Sequence, residues 1–328
     1  MPFKNDSNIP ITLAVWLAAE GDYDLTFHPD IYSVTDLLKP IKSLILTRQI
    51  KAQQLPTESV DLADFAASKL GTAVHTAVEL AWKTKAQTAL SALGWPQKQI
   101  DRVRINPSMD MDPENPNYIN VFIEKRTTIK VGDKFISGKF DFVVDGTVRD
   151  VKTTKTYTWI NGSNNHKFMM QGSLYRWLNP DIIKSDYMCI DYAFTDWTPL
   201  QAQANKDYPP QRLLEKKLEL LPIEVTNDFV LEKLAEIADL EHRPQDQMPA
   251  CTPEELWQDP AKFAFYRKAT NKKATKLYDT RMDADAANSA IGNTGVVVER
   301  KAIPKFCTYC DASSICLQAD AFRAEGLL

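Results

Sequence analysis

At 328 residues, with 44% hydrophobic and 25% charged side chains and 19 Pro against 11 Gly, the chain has ordinary globular composition, which excludes disordered, collagenous and coiled-coil classes. Its net charge of -4 excludes the global positive field of a protein that passively coats nucleic acid, so any nucleic-acid ligand needs a local basic patch. No apolar run approaches the roughly 18 to 20 residues of a membrane span, and the first thirty residues lack a secretory pattern, so a cytoplasmic protein with no membrane partner is expected.

Residues 1–59 form a lead-in segment where short apolar runs alternate with Pro2, Pro10, Pro29, Pro40 and Pro56; Ser33 or Thr35 can cap a helix that Pro40 interrupts. Residues 60–198 read as the core domain. From about Val60 to Leu93 an Ala-rich stretch predicts one long amphipathic helix, or two, with Leu70, Val74, Val78 and Ala81 on one face. Between Trp95 and Asn117 the chain is polar and Pro-rich, which predicts a loop. The stretch from Tyr118 to Thr156 alternates β-branched or aromatic residues with polar ones around Val131-Gly132-Asp133 and Asp145-Gly146, which predicts three or four antiparallel strands. A helix over NNHKFMMQGSLYRWL and a buried strand over SDYMCIDYAF follow, giving an α/β class with a mixed sheet flanked by helices. Residues 199–248, including QRLLEKKLELL, read as helical, and residues 249–328 as an irregular cysteine-bearing subdomain.

If Asp145-Gly146 is a two-residue turn, Val144 faces Thr147, Val143 faces Val148, Phe142 faces Arg149 and Asp141 faces Asp150. Like charges so opposed destabilise a hairpin and ask for compensation. Lys152 shares the face of Asp150, and a divalent cation held by the carboxylates completes the neutralisation. Such a constellation suits phosphodiester hydrolysis, with Mg²⁺ or Mn²⁺ polarising phosphate and acidifying water while the lysine orients that water. On pattern alone, the same three residues also suit a solvated hairpin face.

Neighbouring motifs carry a resemblance. GKFDF at 138–142, DVK at 150–152 and Gln171-x-x-x-Tyr175 resemble the D…(D/E)xK…QxxxY pattern of PD-(D/E)XK nucleases. Gly71-Thr-Ala-Val-His75 matches the upstream GxxxH of RecB-like exonucleases. The resemblance covers roughly Ser33 to Phe194 and implies that His75, Asp141, Asp150 and the Val151 carbonyl ligate the metal, that Lys152 serves the nucleophilic water, and that Gln171 and Tyr175 look toward the active site and the DNA strand. Glu124 matches a less regular acidic position. Glu79, one turn beyond His75, either orients the imidazole or is solvated. Lys155, Lys167 and Arg176 are candidates for the local basic patch.

Cys307-x2-Cys310-x5-Cys316 gathers three of five cysteines within ten residues. A tetrahedral Zn²⁺ or a [4Fe-4S] cluster wants four thiolates, and Cys251 is the best fourth, while Cys189 in its apolar strand reads as core. The spacing resembles the C-terminal iron-sulfur staple of helicase-associated and CRISPR-associated RecB-like nucleases, which implies [4Fe-4S] ahead of zinc. Their remaining cysteine lies far upstream, and here the region around Leu38-Lys39-Pro40 has none.

The expected function is a metal-dependent DNA exonuclease acting at single- or double-stranded ends in recombination or repair; a structure-specific endonuclease or a non-catalytic DNA-end-binding protein is the alternative. No GxxxxGK[ST] loop is present, so unwinding would fall to a helicase partner. By analogy of architecture, a stand-alone phage-type enzyme would resect ends for a single-strand-annealing recombinase in the bacterial host cytoplasm.

Overall fold

The computed structural model describes residues 3–19, 27–55, 60–108 and 117–328. Its contacts fall into two units, residues 1–38 with 57–235 and residues 39–56 with 236–328, so the lead-in segment is divided between them. Among the described residues no helix is long and apolar enough to cross a membrane.

The first unit is mixed α/β. Its seven-stranded sheet runs Val103–Ile105, Ile119–Val131, Lys134–Val144, Thr147–Thr154, Tyr187–Phe194 and Leu213–Glu219, with Ile31–Ser33 joined to Lys134–Val144. Asp145 and Gly146 have φ of 48° and 77°, both left-handed as a type I′ turn requires. That turn fixes the predicted pairs Val144↔Thr147, Val143↔Val148 and Phe142↔Arg149. Thr147–Thr154 then leaves the hairpin and pairs parallel with Tyr187–Phe194.

The strand Lys134–Val144 is the one that positions the site. Along one edge it pairs with Ile119–Val131, while its other edge is shared between Ile31–Ser33 at residues 135–137 and Thr147–Thr154 at residues 142–144. A fork opens between, over residues 138–141. The predicted pair Asp141↔Asp150 is therefore not part of the ladder, which ends at Phe142↔Arg149. Helix Asn165–Leu178 fills the space by close approach: a Cβ on Gly138 would come within 2.5 Å of Leu178, and one on Gly172 within 2.5 Å of Met188.

Helix Ala66–Ala92 is a single helix of 27 residues, as its Ala-rich, breaker-poor sequence favours. Its inward face keeps Val74 and Val78 of the predicted set and replaces Leu70 and Ala81. Leu70 is 44% exposed and Ala81 is exposed, while Val78 and Trp82 pack on Val121, Ile123 and Phe142 of the sheet. Ser33 caps Val34–Leu37 in a capping box with Asp36, and a separate helix, Ile41–Gln53, begins after Pro40.

Two stretches depart from expectation in this unit. The predicted 95–117 loop contains the short helix Gln97–Ile100 and the strand Val103–Ile105, while residues 109–116 lie outside the described residues. QRLLEKKLELL contains an antiparallel strand, Leu213–Glu219, whose Leu214, Lys216 and Leu218 are half-buried between exposed neighbours. Its period-two pattern and pairing with Tyr187–Phe194 override helix-favouring composition. The helix Ile223–Leu240 forms where predicted.

The second unit also contains more regular structure than its sequence suggested. Helix Ile41–Gln53 buries Leu46 and Ile50 against Ala312, Cys310 and Cys316. Lys276–Tyr278, Lys262–Tyr266 and Val296–Arg300 form a three-stranded antiparallel sheet on which helix Arg281–Ser289 packs. These strands are three to five residues long, too short for alternation to stand out from loop.

Candidate metal centre and cysteine pocket

In the first unit, His75 extends from the long helix to the fork. Its Nε2 lies 3.3 Å from Glu124 Oε1 and 3.2 Å from Asp141 Oδ2, yet this nitrogen is buried with no hydrogen-bond partner. A buried polar atom without a partner is costly and asks for a ligand. The Asp141 carboxylate, with Glu124 and Glu79 adding to it, raises the imidazole pKa against the effect of burial. Glu79 itself is ion-paired to Lys83 on the next turn.

Glu124 occupies a left-handed backbone conformation, φ 54°. Ladder pairing stops at Ile123↔Phe142 and resumes in register at Lys125↔Phe140, skipping Glu124 and Asp141. A non-glycine residue held there stores on the order of 1 to 3 kcal/mol, and the distortion falls where two carboxylates meet the imidazole. Lys139 Nζ stands 2.6 Å from Glu124 Oε2.

Asp141 accepts a 3.3 Å hydrogen bond from the Val151 N–H across the fork. Burial works to raise its pKa, but His75, Lys152 and this N–H outweigh it and hold the carboxyl below the usual range. Asp150, 2% exposed, goes the other way: burial, with Asp141 adding, lifts it to about 6 although Lys152 opposes the shift. Lys152 Nζ lies 2.6 Å from Asp150 Oδ2 and 5.6 Å from the centre of the Phe168 ring.

The Gln171 amide donates to the Tyr175 hydroxyl at 2.9 Å. Tyr175 is buried against Phe140. Burial and the nearby Asp150, Asp141 and Glu124 charges push its phenol above the ordinary value, with Gln171 opposing. Arg176, a candidate for the basic patch, is buried and donates to the Ser185 and Leu221 carbonyls, so it is not available to DNA. Lys155 and Lys167 are exposed.

The donor set fits a divalent cation. Ligand atoms of His75, Glu124 and Asp141 all lie within 4.8 Å of one another, combining an imidazole nitrogen with hard carboxylate oxygens as Mn²⁺ or Mg²⁺ accepts. With His75 neutral, three carboxylates face Lys139 and Lys152, which leaves net negative charge. Asp150, predicted as a ligand, stands outside that trio and holds Lys152; Val151, predicted to contribute its carbonyl, supplies its N–H to Asp141.

Sequence reasoning missed Tyr192, read only as part of a buried strand. Its hydroxyl is buried without a partner, and burial together with Asp150 lifts its pKa to about 12. In the structure it pairs in parallel register with Lys152, a placement the sequence alone does not give.

In the second unit, Cys251, Cys307, Cys310 and Cys316 line one small pocket with Lys42, Ser43, Leu46, Leu256 and Phe306. Gln318 pins Cys251 by bonding both its N–H and its carbonyl, at 2.8 and 3.0 Å, and Gln245 holds the Ile315 carbonyl and Leu317 N–H. Burial pushes the Cys251 thiol up to about 12 and Cys307 up to about 11, with neighbouring thiols adding to both. Cys189 is a core residue, 1% exposed. The upstream helix Ile41–Gln53 reaches the pocket without a thiol: Ser43 Oγ lies 3.2 Å from Cys310 Sγ, and Lys42 brings a buried cation.

No protein-family model matches the chain, and no curated protein matches it. Among solved structures, the crystal structure of SSO0001 is similar at a TM-score of 0.40 and 14% sequence identity, over 71% of this chain and 84% of that one.

Proposed function

We propose that the first unit is a metal-dependent deoxyribonuclease of PD-(D/E)XK type that hydrolyses phosphodiester bonds at DNA ends. The observation that carries this reading is the buried His75 Nε2 set 3.2 to 3.3 Å from the Glu124 and Asp141 carboxylates, with Lys152 anchored on Asp150 beside them. The order of helix, three antiparallel strands, helix and parallel strand supports the fold assignment.

His75, Glu124 and Asp141 would hold the divalent cation, which supplies a Lewis acid for phosphate and a more acidic water. Lys152 Nζ has three N–H donors. Asp150 engages the ammonium, and donors not taken there orient the attacking water and steady charge developing on a phosphate oxygen. Tyr175, its hydroxyl accepting from Gln171, backs the carboxylates and keeps water from behind them. Lys139 fixes the Glu124 side chain.

In the second unit the four-cysteine pocket is proposed to hold a [4Fe-4S] cluster. The choice of cluster over zinc rests on the resemblance of the Cys307-x2-Cys310-x5-Cys316 spacing to an iron-sulfur staple, and the buried Lys42 beside the thiols answers the cluster's negative charge. Iron and acid-labile sulfide in equal amounts after anaerobic purification are expected; stoichiometric zinc instead would overturn this assignment.

The test of activity is digestion of 5′- and 3′-end-labelled linear DNA, with a closed circle as control, in Mg²⁺ or Mn²⁺ against EDTA. Metal-dependent loss of the linear DNA alone, abolished in Lys152→Ala, is expected. Cutting of the circle would make the protein an endonuclease, and no cleavage with either metal would refute the catalytic reading.

A further inference from the structure

A DNA substrate needs a local basic surface on a chain of net charge -4, and the burial of Arg176 removes one candidate for it. Residues 260–278 of the second unit carry six cations, Lys262, Arg267, Lys268, Lys272, Lys273 and Lys276, and no carboxylate. Lys262 pairs with Asp279, and Lys276 lies 4.8 Å over the Tyr278 ring. Arg267, Lys268, Lys272 and Lys273 are exposed, and among the described residues none forms an ion pair.

The loop carrying these four is ordered by its own bonds. The Thr275 N–H donates to the Phe265 carbonyl at 2.7 Å, Thr275 Oγ1 accepts from the Arg267 N–H at 3.2 Å, and the Asn271 N–H donates to the Lys268 carbonyl at 3.0 Å. Like charges fixed so close together repel one another, and a polyanion relieves that repulsion. Beside the loop, one sheet face carries the exposed Leu277 and Val298 on either side of a buried Ala264, and the exposed Val296 next to a half-buried Tyr266, since directly paired residues share a face. Leu277 and Val298 are each 46% exposed, and the Arg300 guanidinium bonds the Tyr266 hydroxyl at 3.2 Å.

We infer that the 267–275 loop and the exposed Leu277, Val296 and Val298 beside it form a DNA-binding surface, the cations gripping phosphates and the apolar side chains receiving sugar and base surface. The choice of DNA among polyanions rests on the proposed nuclease activity. This surface is distinct from the metal centre in sequence, in charge and in the unit that carries it.

The test is binding of fluorescent single-stranded and duplex DNA to the full chain in EDTA, where no cleavage occurs, across a salt series. Each phosphate contact contributes about 0.7 (single strand) to 0.9 (duplex) to the slope of log affinity against log salt. Replacing Arg267, Lys268, Lys272 and Lys273 by alanine is expected to flatten that slope by about 3 and weaken binding at least tenfold at low salt. A charge-matched variant with alanine at Lys51, Lys85, Lys98 and Lys206 should keep the wild-type slope, and equal melting temperatures would show both variants folded. The form of DNA that loses more affinity identifies the natural ligand. Wild-type slope and affinity in the loop variant, an equal loss in the control, or no salt-dependent binding by the wild type would each overturn the inference. Loop-dependent binding without cleavage in Mg²⁺ or Mn²⁺ would sink the nuclease reading and leave the surface standing.

Discussion

The candidate metal centre of the first unit and the cysteine pocket of the second use opposite means to prepare a site. His75, Glu124 and Asp141 are set by a long helix and two ladder strands, and their ligand atoms already lie 3.2 to 3.3 Å apart along the two contacts to His75. That preorganisation has internal costs: a left-handed Glu124 and a buried Asp150. The thiols, by contrast, come from loops and short 3₁₀ turns, with glutamine side chains in place of a ladder. The first arrangement is fixed by regular elements, whereas the second, on the proposed reading, is completed by a cofactor. Removing the ion from one should therefore cost activity, and removing the cofactor from the other should cost stability.

The sharpest break in that comparison is Lys152→Ala, expected to lower DNA cleavage by about 10³-fold with an unchanged melting temperature. A comparable loss of stability would show that Lys152 serves the fold. Next is His75→Ala, expected to weaken Mn²⁺ binding by about 10²-fold, since even partners that only orient a ligand cost 10- to 100-fold. Titration of Mn²⁺ into the metal-free variant measures this, and wild-type affinity would exclude His75 from the centre.

For the pocket, Cys307→Ser is expected to abolish the visible absorbance of the anaerobic protein and lower its melting temperature. About 1 kcal/mol moves a chain of this size by roughly 2 to 4 °C, so a loss of 2 kcal/mol is readily seen. Hydrogen exchange should quicken in residues 39–56 and 236–328 and stay unchanged around the fork. Uniform quickening would mean that the cofactor supports the whole chain and that the two sites are not separate in the way their construction suggests.

How far each site was legible in the sequence follows the same division. Cysteine spacing is visible without any fold, because Cys307, Cys310 and Cys316 are neighbours along the chain; assigning Cys251 needed only elimination, and the pocket brings all four together. The positions of His75, Asp141, Asp150 and Lys152 were legible through the hairpin pattern and the motif order. The contacts that surround them were not. They depend on the fork in Lys134–Val144, which exists because Ile31–Ser33, more than a hundred residues upstream, takes over the strand's edge. That event frees Asp141 from Asp150 and lets Glu124 turn inward. The strand Leu213–Glu219 was hidden for a similar reason: Arg149, bound to Asp191 and Glu215 across three strands, supplies a nonlocal tie that local propensity does not carry.

The smallest expected effect bears on Asp150, whose role tells a preorganised site from one that merely collects charges. Its folded pKa of about 6 lies above its unfolded value near 3.9. The folded state therefore binds the proton more tightly, and the associated stability is complete below pH 4 and lost as pH rises through 6. Asp150→Asn removes the charge while keeping the shape. In metal-free protein it should raise stability at pH 8 by no more than ~2 kcal/mol, because Lys152 loses its partner in exchange, and the gain should vanish toward pH 4. The melting temperature of both proteins in EDTA across this range reads the effect directly. A gain at pH 8 with cleavage abolished would identify a carboxylate kept charged at the expense of the fold so that Lys152 is held in place. A loss of stability at pH 8 would instead make the Asp150–Lys152 pair a structural tie.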